Sequence, residues 1–320
     1  MTTREEGSRK GFAMAQFMQK LGALLGLIIL IIIVTILNPS FIDPLNILNL
    51  LRQVSINALI AFGMTFVILT GGIDLSVGSI LALSSAVMAN LMVSGWDPII
   101  SILLGCILGG VLGGINGVLI TKGRMAPFIA TLATMTIYRG LTLVYTNGNP
   151  ITGLGNKASF QFLGRGYLFG IPVPAITMII VFIILWVILH KTTFGRKTYA
   201  IGGNEKASII SGIKVDRVKI MIYSLIGVLS ALAGAILTSR LNSAQPTAGN
   251  SYELDAIAAV VLGGTSLTGG RGRIVGTLIG ALIIAILNNG LNLLGVSSFY
   301  QMVVKGIVIA IAVLLDRKKG

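Results

Sequence analysis

Apolar runs long enough to cross a lipid bilayer recur along almost the whole chain. The hydrocarbon core of a bilayer is about 30 Å thick, so a helix that rises about 1.5 Å per residue needs roughly 20 apolar residues to span it. Runs that reach or nearly reach this length cover residues 21–37, 54–71, 75–93, 98–120, 126–146, 171–189, 219–238, 274–294 and 299–315. The pattern predicts an all-α integral membrane protein, built as a polytopic bundle of helices.

The composition of the 320-residue chain supports a membrane environment. Charged residues make up 11% of the chain, whereas soluble domains carry about 25%. Lys and Arg number 24 against 10 Asp and Glu, and such an excess can indicate nucleic-acid binding. Here, however, the basic residues lie in short gaps between apolar runs and do not spread over one polar face. We therefore expect the lipid bilayer as a partner and no nucleic acid.

A tenth apolar stretch, residues 256–267, is too short to cross the bilayer as a regular helix. It also contains Gly263 and Gly264, which favour a bend or a break. Irregular backbone at membrane depth is tolerated where protein buries it. The sequence therefore predicts about ten transmembrane segments, of which the one at 256–267 is short or broken.

The distribution of basic residues predicts the orientation of the chain. If the N-terminus is cytoplasmic and all ten segments cross, eighteen Lys and Arg lie on the inner side and four on the outer side, as the positive-inside rule requires. We expect a cytoplasmic tail at residues 1–20, one transmembrane domain at 21–315 and a second cytoplasmic tail at 316–320. The domain carries a long inner loop at about 191–218.

A short helix is predicted within the inner loop. Asn204 suits an N-cap, apolar residues follow at 207, 209 and 210, and Gly212 suits a C-cap. From these residues alone, the helix could be a contact surface for a partner or could lie on the lipid headgroups. Both interpretations stay open.

Glycine-rich corners occur at two places in the chain. They share the pattern Gly-Gly-x-x-Leu-[Ser/Thr]-x-Gly and begin at Gly71 and Gly263. We expect bends that take part in gating, and close helix packing is the alternative, because glycines let helices approach each other. The candidate hinge residues are Gly71, Gly72, Asp74, Gly78, Gly263, Gly264, Gly269 and Gly270. Gly109 and Gly113, which are four residues apart, predict a close helix contact.

Three ionisable residues fall within or beside the predicted spans. Asp74 is expected to cap the N-terminus of the span that follows it, with Ser76 nearby. Arg139 and Lys305 lie in the outer parts of their spans, so we expect their long side chains to reach the membrane interface. No carboxylate within a span is a convincing candidate for ion coupling. The energy for transport would then come from a partner.

The sequence contains no motif for catalysis or nucleotide binding. Residues 264–269 have the first glycine spacing of a phosphate-binding loop, but Gly270 and Arg271 stand where that loop needs Lys and then Ser or Thr. One Cys and one His cannot build a His/Cys metal site. We therefore predict no enzyme activity, no catalytic residue, no metal and no cofactor bound by this chain.

Several segments resemble the permease subunits of bacterial ATP-binding-cassette sugar importers. The residues that carry this likeness are 68–79, 199–207 and 211–215. Three further segments, at 243–249, 252–267 and 288–296, are similar to the ribose-transporting members of that family. The likeness covers nearly the whole chain, apart from the first 20 residues and the outer loop around 153–168.

The resemblance implies a permease homodimer around a central path in the bacterial inner membrane. It implies two further partners, an ATPase subunit that binds ATP-Mg and a periplasmic sugar-binding protein that delivers D-ribose or another monosaccharide. It assigns contact with the ATPase to Gly202, Gly203, Asn204, Glu205, Ala207, Ser211 and Gly212. The outer Arg52, Arg165 and Arg240 are expected to attract acidic residues of the binding protein. An ion-coupled secondary sugar transporter and a passive channel remain the alternatives.

Overall fold

A computed structural model describes residues 22–155 and 157–317 of the chain. These residues are mostly helical. In chain order the helices are α1 (Gly22–Leu37), α2 (Pro44–Leu69), α3 (Val77–Val93), α4 (Pro98–Thr121), α5 (Pro127–Thr146), α6 (Ala158–Arg165), α7 (Val173–Lys191), α8 (Thr193–Gly203), α9 (Glu205–Ile210), α10 (Val215–Leu241), α11 (Tyr252–Leu262), α12 (Ile274–Leu293) and α13 (Ser298–Arg317). A 3-10 turn at Pro39–Ile42 follows α1, and an antiparallel hairpin of β1 (Tyr167–Leu168) and β2 (Ile171–Pro172) follows α6. The predicted tail at 1–20 and residues 318–320 of the second predicted tail lie outside the described residues.

Proline and aspartate residues set the starts of several helices. Helices α2, α4, α5 and α7 each carry Pro in the first turn, where a missing N–H leaves no helical hydrogen bond unmade. Asp43 and Asp97 precede α2 and α4, and their carboxylates accept hydrogen bonds from the N–H groups of Leu45 and Ile99, both at 2.8 Å. The starts of these helices are therefore determined by local residues.

The apolar helices confirm the predicted membrane architecture. Among the described residues, α2, α4, α5, α7, α10 and α12 are long and apolar enough to cross a bilayer, and α1 and α3 are shorter apolar helices. Each predicted run of about 20 residues overlaps one of these helices or α13. Helix α2 begins well before the predicted run at 54–71. Its first turns admit polar residues because the Asn46 and Asn289 side chains pair with each other, at 3.0 and 2.9 Å.

Helices α2 and α10 form the centre of the bundle. Of the six described spanning helices, they bury the largest shares of their apolar windows. Helix α10 packs along α4 through glycines, since the backbone of Gly109 meets that of Gly227 and Gly113 meets the carbonyl group of Tyr223. The predicted close contact at Gly109 and Gly113 is confirmed. Small residues let two backbones approach in lipid, where no hydrophobic force drives helices together.

The short helix α11 differs from the segment predicted at 256–267. It spans Tyr252–Leu262, so it begins earlier and ends earlier than predicted. The early start is possible because buried Asp255 pairs with Lys305 of α13 (Oδ2–Nζ, 2.9 Å), which allows an acidic residue inside the bundle. The chain turns away from the helix at Gly264, which has a φ of +83°. A short segment was therefore predicted correctly, but its bounds were wrong.

Alanine at Gly113 is expected to destabilise the bundle, because its Cβ would overlap the Tyr223 carbonyl group of α10. Overpacking of this kind lowers the free energy of unfolding by about 1–3 kcal/mol. Gly140→Ala is the matched control, since Gly140 lies in helix α5 with open space where a Cβ would stand. Thermal unfolding of the purified chain in detergent compares the two variants. Equal stability of Gly113→Ala and Gly140→Ala would contradict the close backbone contact.

Candidate functional site

The two ends of the bundle carry different elements. Where α4 ends and α10 begins, Lys122 and Asp216 form an ion pair of 2.7 Å, and residues 191–218 lie at this end together with the end of α2. We call it the basic end. The β1–β2 hairpin, the start of α2 and the end of α10 lie at the opposite end, which we call the hairpin end.

The short helix predicted at the basic end is present as α9. Its N-cap is Asn204, whose side-chain oxygen accepts a hydrogen bond from the N–H of Ala207 at 2.9 Å. Its end is closed by Gly212, which has a φ of +81°. The Ser211 hydroxyl donates to the carbonyl of Ala207 at 2.9 Å. Both predicted caps are therefore confirmed.

One side of α9 is fixed to the bundle and the other is exposed. Glu205 forms an ion pair of 2.8 Å with Lys219 of α10, whose side chain is mostly buried. Ser208 is buried as well. Ile209 and Ile210 point outwards, with 58% and 87% of their surface exposed. The helix thus presents two apolar side chains at the basic end.

Gly202 and Gly203 belong to a second helix, α8, and not to the short helix itself. No helix was predicted at 193–203, a stretch whose polar residues give it little apolar character. The missed signal is the spacing of Thr198 and Ile201, which are buried three residues apart and mark an amphipathic helix. The predicted ATPase contact therefore consists of the end of α8 and all of α9, joined at Asn204.

Three separate segments meet backbone to backbone beside α8. Gly202 lies directly against the carbonyl group of Leu69, at the end of α2, and against the N–H of Gly270. That N–H donates a hydrogen bond to the Leu69 carbonyl at 2.9 Å. The Tyr199 hydroxyl adds a bond of 2.8 Å to the carbonyl of Gly272. We call the contact between residues 69–72, 202–203 and 269–270 the glycine junction.

The candidate hinge glycines fall into two groups. Four have positive φ angles, at +76° for Gly71, +83° for Gly264, +86° for Gly269 and +71° for Gly270, where other residues are strained. The others have ordinary φ angles but stand in tight contacts, Gly72 beside the Tyr223 hydroxyl, Gly78 against Gly249 and Gly263 against Gly276. The structure brings Gly71, Gly269 and Gly270 together at the glycine junction and leaves Gly78 elsewhere. Their role in gating stays a prediction.

Asp74 stabilises the turn that precedes α3. It is fully buried, and its Oδ1 accepts hydrogen bonds from the N–H and the hydroxyl of Ser76, at 2.8 and 2.6 Å. Asn116 of α4 donates to the same hydroxyl at 2.7 Å. Ser76, and not Asp74, occupies the N-cap position of α3. The predicted direct cap by Asp74 is therefore wrong. The Asp74 carboxylate instead accepts hydrogen bonds from the cap residue, Ser76.

The three outer arginines form one cluster at the hairpin end. The Arg165 Nε donates to the carbonyl of Arg240 at 2.9 Å, and an Arg52 Nη donates to the carbonyl of Arg165 at 3.4 Å. The Arg52 guanidinium also lies over the Tyr167 ring, 4.6 Å from its centre. Sequence reasoning named these residues but gave no sign that they meet. They form a single basic patch.

The cations predicted to reach the membrane interface point into the protein instead. Lys305 pairs with Asp255, as described above, and an Arg139 Nη donates to the carbonyls of Pro246 and Ala248 at 2.6 and 2.9 Å. The expectation of snorkelling is therefore wrong for both. Sequence reasoning did not name Asp255 among the ionisable residues of the spans, and the early start of α11 places it inside the bundle.

Comparison with known proteins identifies the family. A family model described as the permease component of branched-chain amino acid transport systems matches residues 46–313. The chain belongs to this permease family. The ribose import permease protein of Bacillus subtilis (strain 168) is 81% identical over 303 residues, 95% of this chain and 94% of the relative. The counterpart of Escherichia coli (strain K12) is 54% identical over 321 residues and the full length of both chains.

More distant relatives are named for other sugars. The L-arabinose transport system permease protein of Escherichia coli (strain K12) is 41% identical over 321 residues, 99% of this chain and 96% of the relative. No solved structure matches the chain. The relatives are permeases, which are transport components and not enzymes. Membership of this family favours a permease over an ion-coupled carrier or a passive channel.

A pair of glycine variants tests the glycine junction. Alanine is strained at both Gly270 and Gly264 by about 1–2 kcal/mol, because both have positive φ. At Gly270 its Cβ would also lie 2.9 Å from the backbone nitrogen of Gly203, whereas at Gly264 it would meet nothing within 4 Å. We expect faster amide hydrogen exchange in α8 for Gly270→Ala and unchanged exchange there for Gly264→Ala. Equal exchange in the two variants would exclude tight contact at the junction.

Proposed function

We propose that this chain is the membrane-spanning permease subunit of an ATP-driven importer of D-ribose. The observation that supports this most strongly is its likeness to named ribose import permeases, at 81% and 54% identity. The permeases named for D-allose and L-arabinose are 44% and 41% identical. Identity therefore decreases when the named sugar changes, which favours ribose over another monosaccharide.

The chain provides the path for the solute, and a separate ATPase subunit binds ATP-Mg. We place the basic end in the cytoplasm, with both termini on that side of the bacterial inner membrane, because positive residues are retained inside. A periplasmic sugar-binding protein then docks at the hairpin end. Two copies of the chain form a homodimer around the central path.

Helix α9 is the proposed contact with the ATPase subunit. Ile209 and Ile210 stand exposed at the end of the bundle that holds most of the positive charge, where a partner protein gains by covering them. Lipid headgroups could also receive them. A protein partner is favoured because the Glu205–Lys219 ion pair fixes α9 on the bundle and α8 connects it to the glycine junction. A surface helix that merely rests on lipid needs no such connection.

The glycine junction is the proposed route by which movement of the ATPase reaches the permease. Force on α9 passes through Asn204 to Gly202, and from there to the end of α2 and to Gly270. Backbone contacts of this kind leave no flexible side chain between the segments, so displacement of one segment displaces the others. The two glycine-rich corners would then bend together when ATP binds the partner.

Ile210→Asp tests the docking of the ATPase. Because the Ile210 side chain is almost fully exposed, the variant is expected to fold normally. We expect the ATPase subunit that copurifies from detergent to fall at least about tenfold, as for a central interface residue. Phe169→Ser is the control, since Phe169 is 94% exposed but lies at the hairpin end. Normal capture of the ATPase by Ile210→Asp would count against docking at α9.

Arg165→Glu tests the basic patch at the hairpin end. Arg165 is exposed, so reversal of its charge is expected to slow association of the binding protein, and to do so most at low ionic strength. Association rates measured with the reconstituted complex at several salt concentrations give the result. Lys197→Glu, an equal charge change at the basic end, is the control. A rate that is indifferent to Arg165→Glu and to salt would remove the support for this docking surface.

A further inference from the structure

Helix α3 and the chain before α11 meet near the middle of the bundle. Helix α10 serves as a reference for depth in the bundle, because it runs from the basic end to the hairpin end over Val215–Leu241. Gly234 of α10 packs against Leu81 of α3. Gly78 lies three residues nearer the basic end, about 4.5 Å along the axis, and its backbone contacts Gly249. Residues 242–251 therefore enter the bundle from the hairpin end and reach about two-fifths of its depth.

Arg139 of α5 holds this entering segment in place. One of its Nη atoms donates to the carbonyls of Pro246 and Ala248. The side chain is only half-buried, and its other nitrogens form no hydrogen bond with the described part of the chain. Within one copy of the protein, the guanidinium group therefore has N–H donors that are not used, and these donors lie at the protein surface.

Glu253 adds an acidic group to the same surface. Its carboxylate lies beside Gly78, is half-buried, and is part of no ion pair among the described residues. It interacts electrostatically with Arg139 from beyond ion-pair distance. Thr247 and Asn250 lie on the entering segment, residues 242–251, and both are exposed. A donor, an acceptor and two neutral polar groups thus lie together at mid-depth.

Lipid is an unsuitable neighbour for this group of residues. Charged side chains at bilayer depth are costly, and they face protein or a water-filled cavity. Asp255 shows how a deep charge is neutralised within the chain, since it pairs with Lys305. Arg139 bonds two backbone carbonyls, but neither Arg139 nor Glu253 belongs to an ion pair among the described residues. Their surface therefore faces either protein, such as the second copy of the proposed homodimer, or a water-filled path that solute can enter.

We infer that Arg139, Thr247, Asn250 and Glu253 line the solute path and bind the hydroxyl groups of a neutral sugar during its passage. A carboxylate accepts hydrogen bonds from sugar hydroxyls, a guanidinium donates to them, and an amide or hydroxyl does both. Polar groups spread over several elements hold a solute weakly enough to release it. This inference rests on the proposed function and identifies the residues that contact the sugar on its path.

Cysteine labelling tests whether this surface is accessible to water. In a Cys106→Ser background, which removes the one native cysteine, Asn250→Cys is treated with a membrane-impermeant maleimide in the complex reconstituted with its ATPase. We expect labelling at Asn250→Cys and none at Ile107→Cys. Ile107 is the matched control, because it is 61% exposed on α4, two residues from the mid-depth contact of Gly109 with Gly227. No labelling at Asn250→Cys would overturn the inference.

Protection by D-ribose tests whether the surface binds solute. Saturating D-ribose is expected to slow the labelling of Asn250→Cys several-fold, and adding Glu253→Gln or Arg139→Lys to that variant should abolish the protection. The double variant Asp255→Asn/Lys305→Gln, which changes a buried pair near the same segment, should retain it. Labelling without protection, or protection that survives Glu253→Gln and Arg139→Lys, would overturn the inference. If the Cys106→Ser complex with its binding protein imports no ribose, the proposed function fails instead.

Discussion

Direct contact between backbones at glycine residues is the interaction on which the rest of this structure depends. Within lipid no hydrophobic force draws helices together, so close packing has to supply the attraction. Gly109 and Gly227 bring α4 and α10 together, and Gly202 brings α8 against the end of α2. The same feature stabilises the bundle and connects its surface helix to its interior. A chain with larger residues at these points would have neither property.

The second constraint is that each charge inside the bundle needs a partner. Asp255 has Lys305, Arg139 has two backbone carbonyls, and Asp74 has Ser76. These contacts position the short elements, since they fix α11, the segment before it and the start of α3. Where no ion pair forms, as at Glu253, we infer that the surface faces the solute path.

Sequence alone predicted the helices well, because hydropathy and local caps depend on neighbouring residues. Asn204 and Gly212 predicted α9 correctly for this reason. The start of α11 was missed because Asp255 is tolerated only through Lys305, fifty residues away in the chain. The meeting of Gly202 with Leu69 and Gly270, and the cluster of outer arginines, likewise depend on tertiary contacts that no local pattern records. Helix α8 was missed because its buried side is too small to raise hydropathy.

We propose that this chain conducts solute only when a separate ATPase moves it. The most direct measurement is uptake of labelled ribose into proteoliposomes that contain either the purified chain alone or the chain with its ATPase subunit, binding protein and ATP. We expect accumulation against a gradient in the complete system and none with the chain alone, whatever ion gradient is applied. Uphill accumulation by the chain alone would contradict it.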